Sequence, residues 1–450
     1  MNIKEITNRL RIAPNEMQQT VVDTLLGSHE DTVVLSPTGS GKTLAYLLPL
    51  TQLIDTATDE VQAVVVVPGR ELALQSATVL QDMACGVRAC ACYGGRAAMD
   101  EHRILKKVRP HIIFATPGRL NDHLDKQNIQ SEHVKYMVID EFDKCLDMGF
   151  YQEMSALFDK LSKDIRLILL SATDAAEIPD FMNSRALTSL KGKAGMGFQK
   201  IDFSLAEEQT SERVTIYEVR SMVKDKLETL SRLLRSIGGE SSIVFLNHRD
   251  AVERTADYLA AQGFYVSAFH GGLDQRARED ALYKFSNGSA NVFVSTDLGS
   301  RGLDIPDIQN IIHYHLPESE DGYIHRVGRT ARWDKSGKTY FVLGPEEQIP
   351  AYVDATVAEY LIPDEHLPAP AAPKMATIYI GKGKKDKISK GDIVGYLCKK
   401  GGLKATDIGR IDVKDYYAYA AIDRKRLLGL LNQVKGEKIK GIRTIVEEIR

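Results

Sequence analysis

Short runs of aliphatic and β-branched residues recur along the first part of the chain, at Val33–Leu35, Ala63–Val67, Ile112–Ala115, Met137–Asp140 and Leu167–Leu170, separated by stretches of helical periodicity. Strands with no polar face are covered on both sides, so this alternation predicts a parallel sheet sandwiched by helices. A second series, Ile243–Leu246, Val292–Ser295, Ile311–Tyr314 and Thr339–Leu343, predicts a second α/β domain. Leu227, Leu230, Leu234 and Ile237 share one helical face and read as plain core. The polar segment at 207–213 separates the two, giving domains over 1–206 and 214–362. Four prolines with interspersed alanines between Pro363 and Pro373 favour an extended spacer, so 363–374 reads as a linker. Residues 375–450 then change pattern. Strand Thr377–Ile380, helix Gly391–Cys398, two strands within Ile408–Ile422, helix Arg424–Val434 and strand Thr444–Ile449 predict a small α+β domain of order βαββαβ.

Composition adds little until charge is divided along the chain. With 43% hydrophobic and 26% charged residues in 450, the sequence is that of an ordinary globular protein. No apolar run approaches the ~20 residues that span a bilayer, and Met1–Leu10 lacks the core of a signal peptide, so a cytoplasmic protein without membrane contact is expected. The five cysteines include no Cys-x-x-Cys pair, which argues against a disulfide framework or zinc ribbon; Cys90 and Cys92 read as strand residues. Residues 374–450 hold 19 Lys+Arg against 9 Asp+Glu, net +10, whereas the remaining 373 hold 39 against 52, net −13. A basic module follows an acidic engine, and a basic module suits a polyanion.

The engine carries candidate chemistry in Ser36-Pro-Thr-Gly-Ser-Gly-Lys-Thr43, between an apolar strand and an apolar helix. Glycines at 39 and 41 let backbone N–H groups converge on phosphate oxygens at the positive helix N-terminus. Thr38, Gly39, Ser40, Gly41, Lys42 and Thr43 are therefore candidate nucleotide-binding residues, with Lys42 reaching the β/γ-phosphates and Thr43 holding Mg²⁺. Downstream, Tyr136-Met-Val-Ile-Asp-Glu-Phe-Asp143 is an apolar strand ending in carboxylates. Asp140 fits the metal side of such a site and Glu141 the polarisation of the attacking water. Alone, the first motif could be a chance loop and the second an acidic turn capping a helix; together they point to a nucleotide triphosphatase.

With Asp-Glu-Phe-Asp in place of Asp-Glu-Ala-Asp, the chain resembles the DEAD-box RNA helicases. The resemblance runs through Gln18, Pro68–Ala73, Gly94-Gly95, Thr116–Arg119, Leu146–Phe150 and Ser171-Ala-Thr173. It continues through Ile243–Phe245, His270-Gly271 with Gln275 and Arg278, Thr296–Asp304, and Tyr323–Arg332. It implies two tandem RecA-like parallel-sheet domains with ATP in the cleft between them, and an RNA-stimulated ATPase. Gln18 would read adenine, Asp304 would bind ribose, and Arg329 and Arg332 would stabilise charge on the transferring phosphoryl group. His325 would couple to Asp143, Ser171 and Thr173 across the domains. Arg70, Gly95, Thr116, Gly118, Arg119, Gln275, Arg278, Thr296 and Gly302 would hold one RNA backbone without reading sequence. Each of these alone could merely cap a helix or make a turn; their order carries the assignment.

The chain departs from the family at Arg11, where an aromatic is usual, at Gly69 in place of Thr, at Phe142 in place of Ala and at His315 in place of Asp. The C-terminal order resembles an RNA-recognition motif, with Tyr417 and Tyr419 able to stack bases and Tyr379 as companion. Asp415 and Tyr416 replace that motif's Lys/Arg and Gly. The run Gly381–Ile393, with Lys382, Lys384, Lys385 and Lys387, and the later Lys438–Arg443 resemble the RNA-binding module of DbpA-type helicases. That resemblance implies structured large-subunit ribosomal RNA and pre-ribosomal particles as partners, and leaves the binding surface open. The expectation is an ATP- and Mg²⁺-dependent RNA helicase acting in ribosome assembly, with an ATP-gated RNA clamp as the alternative.

Overall fold

The computed structural model describes all residues except 38, 96–97, 173–197, 205–213, 298–307, 331–335, 364–365 and 450. They divide into two compact units, on either side of the segment 205–213. The first is built on β1 (Thr32–Leu35), β2 (Ala63–Val66), β3 (Ala89–Cys92), β4 (Ile112–Ala115), β5 (Tyr136–Ile139), β6 (Arg166–Ser171) and β7 (Gln199–Asp202). They form one 7-stranded sheet in the order β3-β4-β2-β5-β6-β1-β7, with every pairing parallel. Alternate residues of one strand enter different cores: Val138, Ile168 and Leu170 pack beneath the helices Glu16–Gly27 and Lys42–Leu53, while Met137, Ile139, Leu167 and Leu169 pack beneath Pro117–Asp125 and Tyr151–Lys160. The sheet is thus buried on both faces, as the unbroken apolar runs require.

The second unit opens with β8 (Val214–Arg220), β9 (Ser242–Leu246), β10 (Val266–Phe269), β11 (Val292–Thr296), β12 (Asn310–His313), β13 (Gly337–Leu343) and β14 (Val357–Glu359). This sheet too is parallel, in the order β10-β11-β9-β12-β13-β8-β14. Five of these fourteen strands, β3, β7, β8, β10 and β14, do not appear among the apolar runs of the sequence. Four of the five are sheet edges. An edge strand is half covered, so its sequence keeps polar positions, as in Gln199-Lys-Ile-Asp202.

The same unit contains a third sheet: β15 (Met375–Ile380), β16 (Ile408–Val413), β17 (Ala418–Asp423) and β20 (Val446–Glu448), antiparallel, in the order β16-β17-β15-β20. Helices Lys390–Lys399 and Leu427–Gln433 complete the βαββαβ order, and a hairpin of β18 (Lys438–Ile439) and β19 (Ile442–Arg443) adds an element that no sequence pattern announces. Ala376, Ile378 and Ile380 of β15, with Ala418, Ala420 and Ile422 of β17, turn to the helices and form the core. Strand periodicity therefore sends Thr377, Tyr379, Tyr419 and Ala421 to the opposite face.

Candidate active site and RNA-facing edge

Because all strands of the first sheet run one way, every loop leaving a strand's C-terminal end lies on one edge, where ligands of open α/β sheets bind. The neighbours β5, β6 and β1 bring Asp140-Glu141, Ser171 and the 36–43 loop together. Ser36 N–H donates to Ser171 O at 3.0 Å, joining the loop to the end of β6. Gly39 and Gly41 have φ of 84° and 87°, the left-handed conformation glycine adopts at no steric cost. A Cβ on Gly41 would lie 2.3 Å from Gln18 Nε2, so the loop also needs glycine there for space.

Gln18 grips the loop itself. Its Nε2 donates to Gly41 O at 3.1 Å, and Asn15 Nδ2 donates to Ser40 O at 3.0 Å. Both side chains are held by the capping box at the start of Glu16–Gly27. Lys42 is buried, and its ammonium donates to Ser36 O at 2.6 Å and Pro37 O at 3.1 Å. Burial lowers its pKa, against the opposing pull of Asp140. A phosphate placed on the loop would replace those two carbonyls with full negative charge, a stronger partner in a dry site.

Asp140 is also buried, and desolvation followed by the Glu141 charge pushes its carboxyl up to about 6. Glu141 sits at φ 54°, and Lys144, one turn on, pairs with it at 2.7 Å while itself buried. Lys144 was not anticipated; the only signal was its i,i+3 spacing from Glu141. Phe142 sends its ring into the core with Cys145 and Met154, away from the polar edge, so the larger side chain is accommodated. Asp143 is buried in the helix Phe142–Asp147.

Three further strands of that edge, β2, β3 and β4, end near Arg70, Gly95, Thr116, Gly118 and Arg119, the residues expected from the sequence to meet RNA. Gly95 has φ 92°, and a Cβ there would meet Arg70 Nη1 at 2.5 Å, so the guanidinium lies directly against the Gly94-Gly95 turn. Thr116 N–H donates to Cys92 O at 3.2 Å, drawing Thr116, Gly118 and Arg119 beside the same turn. Arg119 Nε contacts Glu101 Oε2 at 3.2 Å and Tyr93 O at 3.3 Å. Glu101 is buried and fixed by Tyr93 N–H at 3.1 Å and His123 Nε2 at 3.0 Å. Cys92, Glu101 and His123 have metal-ligand chemistry and lie within reach of one another. Both Glu101 oxygens are nevertheless engaged, which makes the cluster a support for Arg119.

In the second unit the adjacent strands β10 and β11 end near Gln275, Arg278 and Thr296. Gln275 Nε2 donates to Glu279 Oε1 at 3.2 Å, and Arg278 lies over the Phe269 ring at 4.6 Å. His325 and Arg329 are buried in and just after the helix Glu320–Val327. Arg326, between them, is a finding of the structure. Its Nε and Nη2 reach Asp297 at 2.6 and 2.7 Å, Nη1 reaches His315 O at 2.6 Å and His313 Nδ1 at 3.3 Å, and Nη2 also reaches Asn247 at 3.0 Å. Burial and this guanidinium hold His313 well below its usual pKa, so its Nδ1 accepts. His315, pushed down to about 4 mainly by burial, accepts the Asn247 N–H at 3.1 Å. Thr38, Thr173, Gly302, Asp304 and Arg332 lie outside the described residues.

In the C-terminal domain Gly383 packs against the β16–β17 turn so closely that a Cβ would lie 2.3 Å from Lys414 O. Lys384 and Lys385 N–H groups donate to Lys414 O and Asp415 O, which pins the lysine turn beside the exposed Tyr416; Lys385 Nζ is 4.0 Å from that ring's centre. Lys382 pairs with Asp386 at 3.0 Å, and Lys387 closes the turn at φ 59°. Tyr417 and Tyr419 are placed otherwise than the base-stacking expectation assumed. Tyr419 is fully buried with its hydroxyl bonded to Asp280, and Tyr417 donates to Glu279 at 3.0 Å.

A phosphate loop facing paired carboxylates on one half of a sheet edge, with arginines and glycine turns on the other half, defines a nucleotide-hydrolysing motor of the two-domain helicase class. The DEAD/DEAH box helicase family model matches residues 15–181, the Helicase conserved C-terminal domain 225–334 and the DbpA RNA binding domain 377–448. The ATP-dependent RNA helicase DbpA of Escherichia coli (strain K12) is 33% identical over 420 residues, covering 92% of this chain and 89% of that protein. Its namesake from Bacillus subtilis (strain 168) is 29% identical over 461 residues, covering 95% and 93%. Among solved structures, Mss116p bound to single-stranded RNA and AMP-PNP aligns with TM-score 0.66 at 25% identity over 81% of this chain and 78% of that one. The chain belongs to the DEAD-box ATP-dependent RNA helicases, of the DbpA type. It is accordingly an RNA-stimulated, ATP-hydrolysing enzyme that binds RNA.

Proposed function

We propose that the chain remodels large-subunit ribosomal RNA during ribosome assembly, its C-terminal domain anchoring on structured RNA while the engine opens a short duplex nearby. The observation that carries this reading is a basic C-terminal stretch, net +10 over residues 374–450, matched by the DbpA RNA binding domain, on the same chain as an acidic helicase engine. Anchoring raises the local concentration of engine at its target, so sequence-blind contacts through Arg70, Gly95, Thr116, Gly118, Arg119, Gln275, Arg278, Thr296 and Gly302 suffice. The functional parts are 1–206, 214–362, a linker at 363–374 and 375–450.

Thr43 and Asp140 supply the hard oxygen donors Mg²⁺ takes, and a carboxylate kept dry enough to be raised to about 6 is one whose charge a cation would compensate. When bound, the ion would neutralise phosphate charge. Lys42 holds the phosphates, Glu141 polarises the attacking water, and Arg329 and Arg332 stabilise charge on the transferring group. ATP and RNA binding are reciprocally coupled.

The test compares ATP hydrolysis with no nucleic acid, generic single-stranded RNA, large-subunit ribosomal RNA and DNA, alongside release of a strand from a short RNA duplex. Selective stimulation by ribosomal RNA with strand release supports the reading. Equal stimulation by every RNA refutes the ribosomal target, and stimulation without strand release points to a clamp.

A further inference from the structure

Tyr46 is one of the largest side chains with no exposed surface, and its hydroxyl is buried without a hydrogen-bond partner. The hydroxyl of Ser76, a residue 1% exposed, is in the same position. Nearly every buried hydroxyl in a folded protein is partnered, so two neighbouring orphans call for a cause. Ser76 also departs from helix habit. A hydroxyl inside a helix commonly returns to the carbonyl one turn back, as Thr78 of the same helix does to Leu74 O at 2.9 Å. Ser76, in the helix Arg70–Met83, forgoes that bond.

Both hydroxyls are aimed toward one carboxylate. Val138 of β5 packs in the same core as Tyr46, Ala73 and Ala77, whereas Ile139 belongs to the core on the opposite face. Asp140 N–H still donates to Val66 O at 2.9 Å, so the alternation of the strand runs on through Asp140. Its side chain therefore follows that of Val138, toward the helices Lys42–Leu53 and Arg70–Met83. There the groups next to the Tyr46 hydroxyl are Asp140, Ser76 and Thr43. Tyr46 lies three residues after Thr43 and four after Lys42, on the same face of one helix. Burial, and then the Asp140 charge, hold its phenol well above the usual pKa, so the hydroxyl keeps its proton and is a donor toward the carboxylate.

We propose that Tyr46 is a positioning residue for the Mg²⁺ site: its hydroxyl donates to Asp140 when that carboxylate is ionised beside the ion, and Ser76 donates in turn to the Tyr46 oxygen.

The inference rests on the reading of Thr43 and Asp140 as the metal side of the site. A donor on one carboxylate oxygen favours the charged form and fixes the plane of the group, leaving the other oxygen to the ion or its water. Two hydroxyls do this without adding charge to a buried site that already holds Lys42, Asp140, Glu141 and Lys144.

The test uses the full chain and reads binding of a fluorescent ADP analogue, with Mg²⁺ titrated in and with the metal chelated, beside steady-state RNA-stimulated hydrolysis. Partners that orient metal ligands are worth about 10–100-fold in metal affinity or activity. Tyr46→Phe removes one oxygen and keeps the packing. It should raise the Mg²⁺ concentration for half-maximal ADP binding, and for half-maximal hydrolysis, by about tenfold or more, with turnover restored at saturating Mg²⁺. Metal-free ADP affinity and the melting temperature should stay near the parent's. Ser76→Ala should move the same midpoint in the same direction by less, and an unmoved midpoint there refutes the serine's half of the relay. Asp140→Asn separates the two levels of the argument: a Mg²⁺ midpoint that it leaves unmoved overturns the metal reading and the proposal with it. If Asp140→Asn moves the midpoint and Tyr46→Phe does not, the metal reading stands and the proposal falls. A loss of ADP affinity in Tyr46→Phe that is equal with and without Mg²⁺ marks a packing role and overturns the proposal too.

Discussion

Replacing Arg326 with alanine should destabilise the second parallel-sheet domain rather than act on a step of ATP chemistry. The guanidinium is 1% exposed, and its five N–H donors are matched by Asp297, His315 O, His313 Nδ1 and Asn247. Those partners sit at the ends of β11, β12 and β9, which are neighbours in the sheet, so one side chain rivets three strands. Removing one member of a buried pair costs roughly 3–5 kcal/mol. Asp297 is 28% exposed and recovers some hydration, which places the loss at about 3–4 kcal/mol. For a unit of this size that corresponds to a fall in melting temperature of about 6–16 °C. Arg326→Lys keeps the charge but not the fork, and should show an intermediate fall. Calorimetry gives the shift, and hydrogen exchange in β9, β11 and β12 assigns it to this domain. If Arg326→Ala melts within about 2 °C of the parent yet loses ATP turnover, the rivet is wrong and the arginine acts on phosphate.

Glu141→Gln should lower RNA-stimulated turnover by about 10²–10⁴-fold while RNA binding by residues 375–450 persists; a steady-state ATPase assay beside a binding titration separates the two. Glu101→Gln removes the charge that holds Arg119 and should raise the RNA concentration for half-maximal ATPase severalfold, leaving the RNA-free rate and the melting temperature near the parent's. An unchanged RNA dependence would remove Glu101 from that role. Gly383→Ala should displace the lysine turn, because the added Cβ meets the Lys414 carbonyl, and weaken binding of structured RNA more than of generic single strands. Deleting residues 375–450 should leave hydrolysis measurable and abolish preference for a structured target in competition assays.

Central strands were legible because burial on both faces leaves only apolar residues, as in Val64-Val-Val66 and Ile112-Ile-Phe114. Edge strands such as Gln199–Asp202 and Val357–Glu359 were not, since one side faces water and their pattern resembles a loop. The phosphate loop and Asp140-Glu141 were readable because phosphate chemistry restricts both residue type and spacing. Lys144, Glu101 and Arg326 were hidden for the opposite reason: each works through partners that tertiary folding supplies. The tyrosines of the last domain illustrate the same boundary. Strand periodicity identifies which face carries them, but nothing local says what rests on that face.

The hydrogen bonds from Tyr417 and Tyr419 to Glu279 and Asp280 limit how freely this chain can exchange parts. Residues 375–450 look portable, a compact module after a proline-rich spacer. Grafted onto another two-domain engine, however, they would carry their tyrosines without Glu279 and Asp280 of the helix Gln275–Ser286 to receive them. A bare aromatic face is an invitation to self-association. A working chimera has to transplant the outer surface of one engine helix together with the module, so the inheritable unit is larger than the domain and crosses its boundary.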